Sequence, residues 1–281
     1  MKRIKLNNGL LMPQEGFGVY QIPDYGDCKQ AVMDALSLGY RLLDTAQAYK
    51  NEEAVGDAIV ESNVDRNDIF LTTKIWVSNY GFEKTQASFN ESLKKLNTDY
   101  VDLVLLHQPL GDYYGAYRAL EQLYQEGKIK AIGVSNFAAA RYVDLVSNVK
   151  VIPAVNQIET HVFNQEQPIR PYLKEYGTQI ESWGPFAEGK NHLFTNETLV
   201  AIGEHHDKSA AQVALRFLLQ SGVVIIPKST HIERMKQNLA VWDFELSAAE
   251  MKKIQALDEN KSFFVDYSDP QFIKALNSWE V

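Results

Sequence analysis

Four side chains in this sequence, Asp44, Tyr49, Lys74 and His107, have the types needed for proton-transfer chemistry. Asp44 follows the apolar pair Leu42-Leu43 and reads as the polar end of a buried strand. Tyr49 follows five residues later, just before Asn51-Glu52-Glu53, which can open a helix. A phenol has a pKa of roughly 10 and donates poorly at neutral pH. A nearby cation lowers that value by favouring the phenolate. Lys74 ends the next apolar run, Ile69 to Thr73, so an adjacent strand delivers the cation. His107 ends a third run, Val101 to Leu106. Singly, each residue has a plainer role: Asp44 as a cap, Tyr49 as a half-buried ring, Lys74 as a solvated strand end, His107 as a turn residue. Together they put an acid, a cation, an imidazole and a phenol at strand ends.

The elements that must position them alternate. Ile4 to Met12 straddles Asn7-Asn8-Gly9, a hairpin signal. From Gly16 onward, eight short apolar strands each precede a helical stretch. The expected strands are Gly16–Tyr20, Arg41–Asp44, Ile69–Thr73, Val101–Leu106, Lys130–Val134, Ala154–Val155, Gln179–Ser182 and Val223–Ile226. Nearly continuous apolar runs fit a parallel sheet covered on both faces. Eight such units predict one closed (β/α)8 TIM barrel over residues 1–281, with an N-terminal β-hairpin and extra helices in the loops and at the C-terminus. Ser247 caps a last helix to Leu257, and Lys261 to Val281 reads as a loop-like tail. An open doubly wound sheet is the competing fold. It wants G-x-G-x-x-G after the first strand, and Gly16-Phe17-Gly18 lacks the third glycine.

Barrels of this kind carry their sites at the C-terminal strand ends. Those ends hold Asp44, Lys74, His107, Ser135-Asn136, Gln157, Trp183 and Lys228.

Composition narrows the classes. The 281 residues are 45% hydrophobic and 23% charged, an ordinary globular profile. The net charge of −8 argues against a nucleic-acid or polybasic membrane surface, so a bound phosphate needs a local cationic cluster. A single cysteine, Cys28, forbids an internal disulfide and fits a reducing cytosol. The N-terminal stretch has no signal-peptide core, and no apolar run is long enough to span a bilayer. A cytoplasmic monomer is the expectation.

The ordered motifs resemble the aldo-keto reductase family. They are Asp44-Thr45-Ala46 with Tyr49, Lys74, His107 with Pro109, Gly133-Val134-Ser135-Asn136-Phe137, Asn156-Gln157, and Ile226-Pro227-Lys228-Ser229 with Arg234 and Asn238. The resemblance runs from the first hairpin to about Leu257. Trp183-Gly184-Pro185 and the short tail resemble bacterial members that act on small carbonyls, among them 2,5-diketogluconate reductases. The resemblance implies a (β/α)8 barrel that reduces aldehydes or ketones with NADPH, forming NADP+. It makes Tyr49 the proton donor, Lys74 the group lowering its pKa, Asp44 the partner of Lys74, and His107 the donor that orients the carbonyl. Trp183 would stack on nicotinamide, with Ser135, Asn136 and Gln157 on its carboxamide. Lys228, Ser229 and Arg234 would take the 2′-phosphate, with Lys236 adding charge and Asn238 near adenine. Tyr20, Trp76 and Phe137 would line the substrate mouth. Gln108, where many members have Trp, implies a more polar pocket, and Glu15 and Gln237 also replace commoner residues. A non-catalytic cofactor-binding subunit and a metal-dependent hydrolase are the competing functions. All four catalytic residues are present, against the first. Only His107 and Asp44 suit a metal at strand ends, against the second.

Overall fold

A computed structural model describes residues 2–281, leaving Met1 of the N-terminal stretch outside. Strands β1 (Arg3–Lys5) and β2 (Leu11–Pro13) form the antiparallel hairpin, with Ile4 opposite Met12. Its turn needs Gly9, whose φ of 91° lies in the region that disfavours side chains. Leu6 and Met12 join Leu42, Phe70, Leu103 and Val224 in one apolar cluster. Asn7 and Asn8 donate to the carbonyls of Pro153 and Lys130, just before two strands begin. The hairpin therefore plugs the N-terminal end of the strands, opposite the end where sites form.

Alternation then proceeds as the sequence indicates. The first half runs β3 (Phe17–Gly18), α1 (Tyr25–Ser37), β4 (Leu42–Asp44), α2 (Glu52–Glu61), β5 (Phe70–Ile75), α3 (Phe82–Lys95), β6 (Leu103–Leu106) and α4 (Tyr113–Gln125). The second runs β7 (Ile132–Ser135), α5 (Ala139–Val146), β8 (Val155–Glu159), α6 (Arg170–Tyr176), β9 (Gln179–Trp183), α7 (Glu197–His206), α8 (Ala210–Gln220), β10 (Val224–Ile225) and α9 (Ile232–Leu239). Helix α10 (Ala248–Gln255) follows. Its Ser247 cap and Glu250 satisfy each other's backbone donors in a capping box.

Strands β3 to β10 pair in parallel, in sequence order. The ends of the sheet then meet. Gly16 N–H donates to Ile225 O at 2.8 Å, and Ile225 N–H to Gln14 O at 3.1 Å. The meeting explains one glycine, since a Cβ on Gly18 would stand 2.9 Å from Ile226 O, while one on Gly16 would overlap Leu42 of the neighbouring β4. Apolar residues fill both the barrel interior and the layer between strands and helices.

Several strand ends shift by one to three residues, and two differences bear on the site. Strand β8 starts where the expected strand ended, because Asn156 and Gln157 are polar yet buried inside it. The tail is not all loop: α11 (Pro270–Ser278) forms within it. Asp269 accepts from Gln271 N–H, and Pro270 takes the first helical position, where a missing N–H costs nothing.

Glu15 is fully buried beside the closing strands, with Trp242 Nε1–H donating to Oε2 at 2.6 Å. Burial pushes its pKa from 4.5 to about 8, against the Trp242 bond. The folded chain holds a proton that the unfolded chain releases over that window. This contribution to stability is full below 4.5 and is lost as pH rises towards about 8. Glu15→Gln keeps the acceptor and removes the titration. The variant should match wild type near pH 4.5 and exceed it by about 3 kcal/mol at pH 7, at ~1.4 kcal/mol per unit. Denaturant titrations at both pH values check this. Equal stabilities at pH 7 would mean that Glu15 is already ionised in the fold.

Candidate active site

Asp44 ends β4, and Lys74 lies within β5, one residue from its end, so adjacent parallel strands bring them together. Both are buried. Lys74 Nζ donates to Asp44 Oδ1 at 2.5 Å, Thr45 O at 3.0 Å and Tyr49 Oη at 3.2 Å. That uses all three ammonium protons. Tyr49 closes a single 3₁₀ turn, Gln47–Tyr49, whose next residue, Lys50, turns the chain at φ 56°. Gln47 anchors the turn by accepting from Trp76 N–H at 3.0 Å. The Tyr49 ring stands edge-on to His107, centroids 5.7 Å apart, and Trp76 meets His107 from another side at 5.0 Å. The four expected catalytic residues are thus gathered at one spot.

Their charge states follow from burial. Desolvation works against the Lys74 charge, but Asp44, Tyr49 and Glu181 outweigh it and raise its pKa. Desolvation, then Lys74, holds the His107 imidazole well below 6.5, so it is neutral. The Tyr49 phenol departs from expectation. Burial pushes it up to about 12, and Lys74 opposes the rise without cancelling it. Tyr49 therefore keeps its proton at neutral pH, and Lys74 points at the oxygen that would bear the charge once the proton leaves.

A second polar group adjoins the first. Ser135 Oγ donates to Gln157 O, Asn136 Nδ2 to His107 O, and Trp183 Nε1 to Asn136 Oδ1 at 2.9 Å. Asn136 sits at φ 65°, the left-handed turn that swings its amide between β6 and β9. Gln157 Nε2 donates to Asp44 Oδ2 and to Glu181 Oε2, each at 2.9 Å. Glu181 was missed in the sequence. It is fully buried, its pKa pushed up to about 8 by desolvation and by Asp44. The available signal was an acid inside an expected strand, two residues before Trp183 and so on the same strand face.

The cationic cluster lies after β10. Lys228 and Arg234 are exposed, and neither forms an ion pair among the described residues. Lys236, counted with them from sequence, is instead paired with Glu233 at 2.8 Å. Ser229 is buried, and its Oγ accepts from His231 N–H. His231 gives α9 no side-chain cap, so the first-turn N–H groups of that helix lack a side-chain acceptor, as suits an anion. Asn238 is buried on the same helix. Two unpaired cations at an uncapped helix start fit a dinucleotide phosphate.

The mouth differs most from expectation. Tyr20 stands at the rim, 48% exposed, 5.0 Å from Tyr49. Phe137 does not line an open mouth. It is buried in the core, edge-on to Tyr113 at 5.3 Å. Trp76 is buried too, because the tail covers it: its Nε1–H donates to Trp279 O at 2.6 Å, and the two rings lie 5.0 Å apart. Tyr267 donates to Gln108 Oε1, so the polar Gln108 fastens the tail. Phe264 meets Trp183 at 5.6 Å, and Glu159 accepts from the Ser262 hydroxyl and from Phe263 N–H. The tail thus runs over the C-terminal ends of β8 and β9 and those of β5 and β6.

Among the described residues, the one grouping of metal-ligating side chains is His205, His206 and Glu250, on α7 and α10 rather than at a strand end. Glu250 already serves the capping box there. Chelator should therefore leave catalysis unchanged. Activity lost to chelator and restored by zinc would make His107 a ligand instead.

Similarity to known proteins agrees with this geometry. The aldo/keto reductase family model matches residues 16–259. Glyoxal reductase of Bacillus subtilis is 45% identical over 259 residues, covering 92% of this chain and 93% of that protein. An aldo-keto reductase from a Medee basin deep-sea metagenome library superposes with a TM-score of 0.92 at 43% identity, covering 95% and 99% of the two chains. The Bombyx mori aldo-keto reductase, solved in complex with NADP, gives 0.89 at 32% identity and 96% of each chain. The chain belongs to the aldo/keto reductase family and is an NADP(H)-dependent reductase of carbonyl groups.

Proposed function

We propose that Tyr49 protonates the carbonyl oxygen of a small, polar aldehyde or ketone, an α-dicarbonyl being the favoured class. One observation carries the roles: Lys74 Nζ contacts Asp44 and Tyr49 at once, at 2.5 and 3.2 Å, beside a neutral His107. When bound, NADPH would supply the hydride for the carbonyl carbon. The Tyr49 proton goes to the oxygen, and the product is an alcohol. The phenolate left behind faces the Lys74 ammonium, which Asp44 holds in place. His107 donates its N–H to the oxygen as negative charge builds there. Gln157, Asn136 and Ser135 would hold the carboxamide, Trp183 the nicotinamide face, and Lys228, Ser229 and Arg234 the 2′-phosphate.

Small size is supported by the tail, which narrows the face with Trp279 and Tyr267, and by the glyoxal reductase relative. We further infer a cytoplasmic monomer with no nucleic-acid partner, consistent with the net charge of −8 and a single cysteine. No helix among the described residues is long and apolar enough to cross a membrane. A panel of α-dicarbonyl, sugar-derived and aromatic carbonyls tests the substrate class by kcat/KM. The α-dicarbonyls should lead. Preference for bulky aromatic ketones would overturn the proposal.

A further inference from the structure

Gln157 has one amide nitrogen, and two carboxyl groups from different strands claim it. Asp44 Oδ2 comes from β4 and Glu181 Oε2 from β9, both at 2.9 Å. Those bonds use both N–H protons of the amide. No described group donates to Gln157 Oε1. Glu181 has a further oddity: its Oε1 is buried and has no partner. A buried carboxyl with half its bonding capacity unused is costly unless it serves something else.

From this arrangement we infer that Glu181 is a positioning residue that fixes the Gln157 side-chain amide, so that its carbonyl oxygen faces the nicotinamide carboxamide and accepts from it. The inference rests on the carboxamide reading proposed above. Asp44 is committed to Lys74 and alone would tie down one N–H, leaving the amide free to swing about that bond. Glu181 takes the second N–H and sets the plane. A reversed amide would point its oxygen at the Asp44 carboxylate and would leave no acceptor for the carboxamide N–H. The charged groups acting on Glu181 are Asp44 and Lys74, and burial with Asp44 keeps it protonated at neutral pH. Oε2 then accepts from Gln157. This arrangement adds no third charge to the Lys74–Asp44 pair.

The test is cofactor binding, read by fluorescence quenching. Glu181→Met removes the acceptor at nearly constant volume and should raise the NADP+ dissociation constant about 10-fold, the value of roughly one hydrogen bond to the carboxamide. The acetylpyridine analogue of NADP+ carries a methyl ketone in place of the amide and has no N–H to donate. Its affinity should be the same in wild type and variant. Adenosine 2′,5′-bisphosphate, which lacks the nicotinamide, should also bind unchanged. Glu181→Gln, whose amide oxygen can accept from Gln157, should restore NADP+ binding. Glu181→Asp withdraws the carboxyl by one methylene and should repeat the selective loss, so the test survives if the Met variant misfolds. Equal weakening of all three ligands, or no weakening of any, would overturn the inference. A wild-type protein that binds NADP+ and the analogue equally would overturn the carboxamide reading itself, and this inference with it.

Discussion

Tyr49→Phe should cut carbonyl reduction by about 10²–10⁴-fold, the usual share of general acid catalysis, while NADPH still binds. The substitution removes one oxygen and keeps the ring that packs against His107 and Tyr20. Lys74 loses one acceptor and retains Asp44 and Thr45 O, so the fold should hold at a cost of about 1–3 kcal/mol. His107 remains, but burial and Lys74 hold its pKa well below 6.5, so at neutral pH it carries no imidazolium proton to give. It can still orient the carbonyl. The signature is thus a fall in kcat with little change in cofactor affinity. Turnover that survives in the Phe variant would assign the proton to another group.

Arg234→Met should raise the NADPH dissociation constant by roughly 10- to 100-fold and leave NADH nearly unchanged. Arginine presents a planar fork to phosphate, and bonds of this charge-assisted kind are worth roughly 1.5–3 kcal/mol each. NADH has no 2′-phosphate and so nothing to lose there. Arg234 is exposed and forms no ion pair among the described residues, so no internal partner competes for it. An arginine that only decorated a solvated helix face would contribute well under about 1 kcal/mol. Titrating both cofactors against Trp183 fluorescence separates the cases. Equal weakening of both, or of neither, would remove Arg234 from the 2′-phosphate site.

Much of this site was legible because barrel chemistry sits at strand ends, and strand ends are where apolar runs turn polar. Leu42-Leu43-Asp44 and the run ending at His107 are of this kind. Reading failed where polar residues are buried inside strands. Asn156 and Gln157 continue β8 past the expected end, and Glu181 sits mid-strand in β9. A run of apolar residues cannot announce a polar side chain whose partners lie on other strands. The tail failed for a different reason. Its helix is short, and Trp279 and Tyr267 matter only through contacts with Trp76 and Gln108, about 200 and 160 residues away in the chain. The direction of the Tyr49 shift also needed the structure: sequence names the cation beside it, whereas the larger opposing effect is burial by the whole surrounding fold.

The most direct test of the central claim follows the hydrogen. NADPH labelled with deuterium at the transferable nicotinamide position is incubated with the protein and glyoxal, and the product is analysed by mass spectrometry. Reduction by hydride transfer predicts one deuterium on the carbinol carbon, with oxidised cofactor formed in equal amount. An alcohol that carries no label, or cofactor left unconsumed across the whole carbonyl panel, would contradict the assignment.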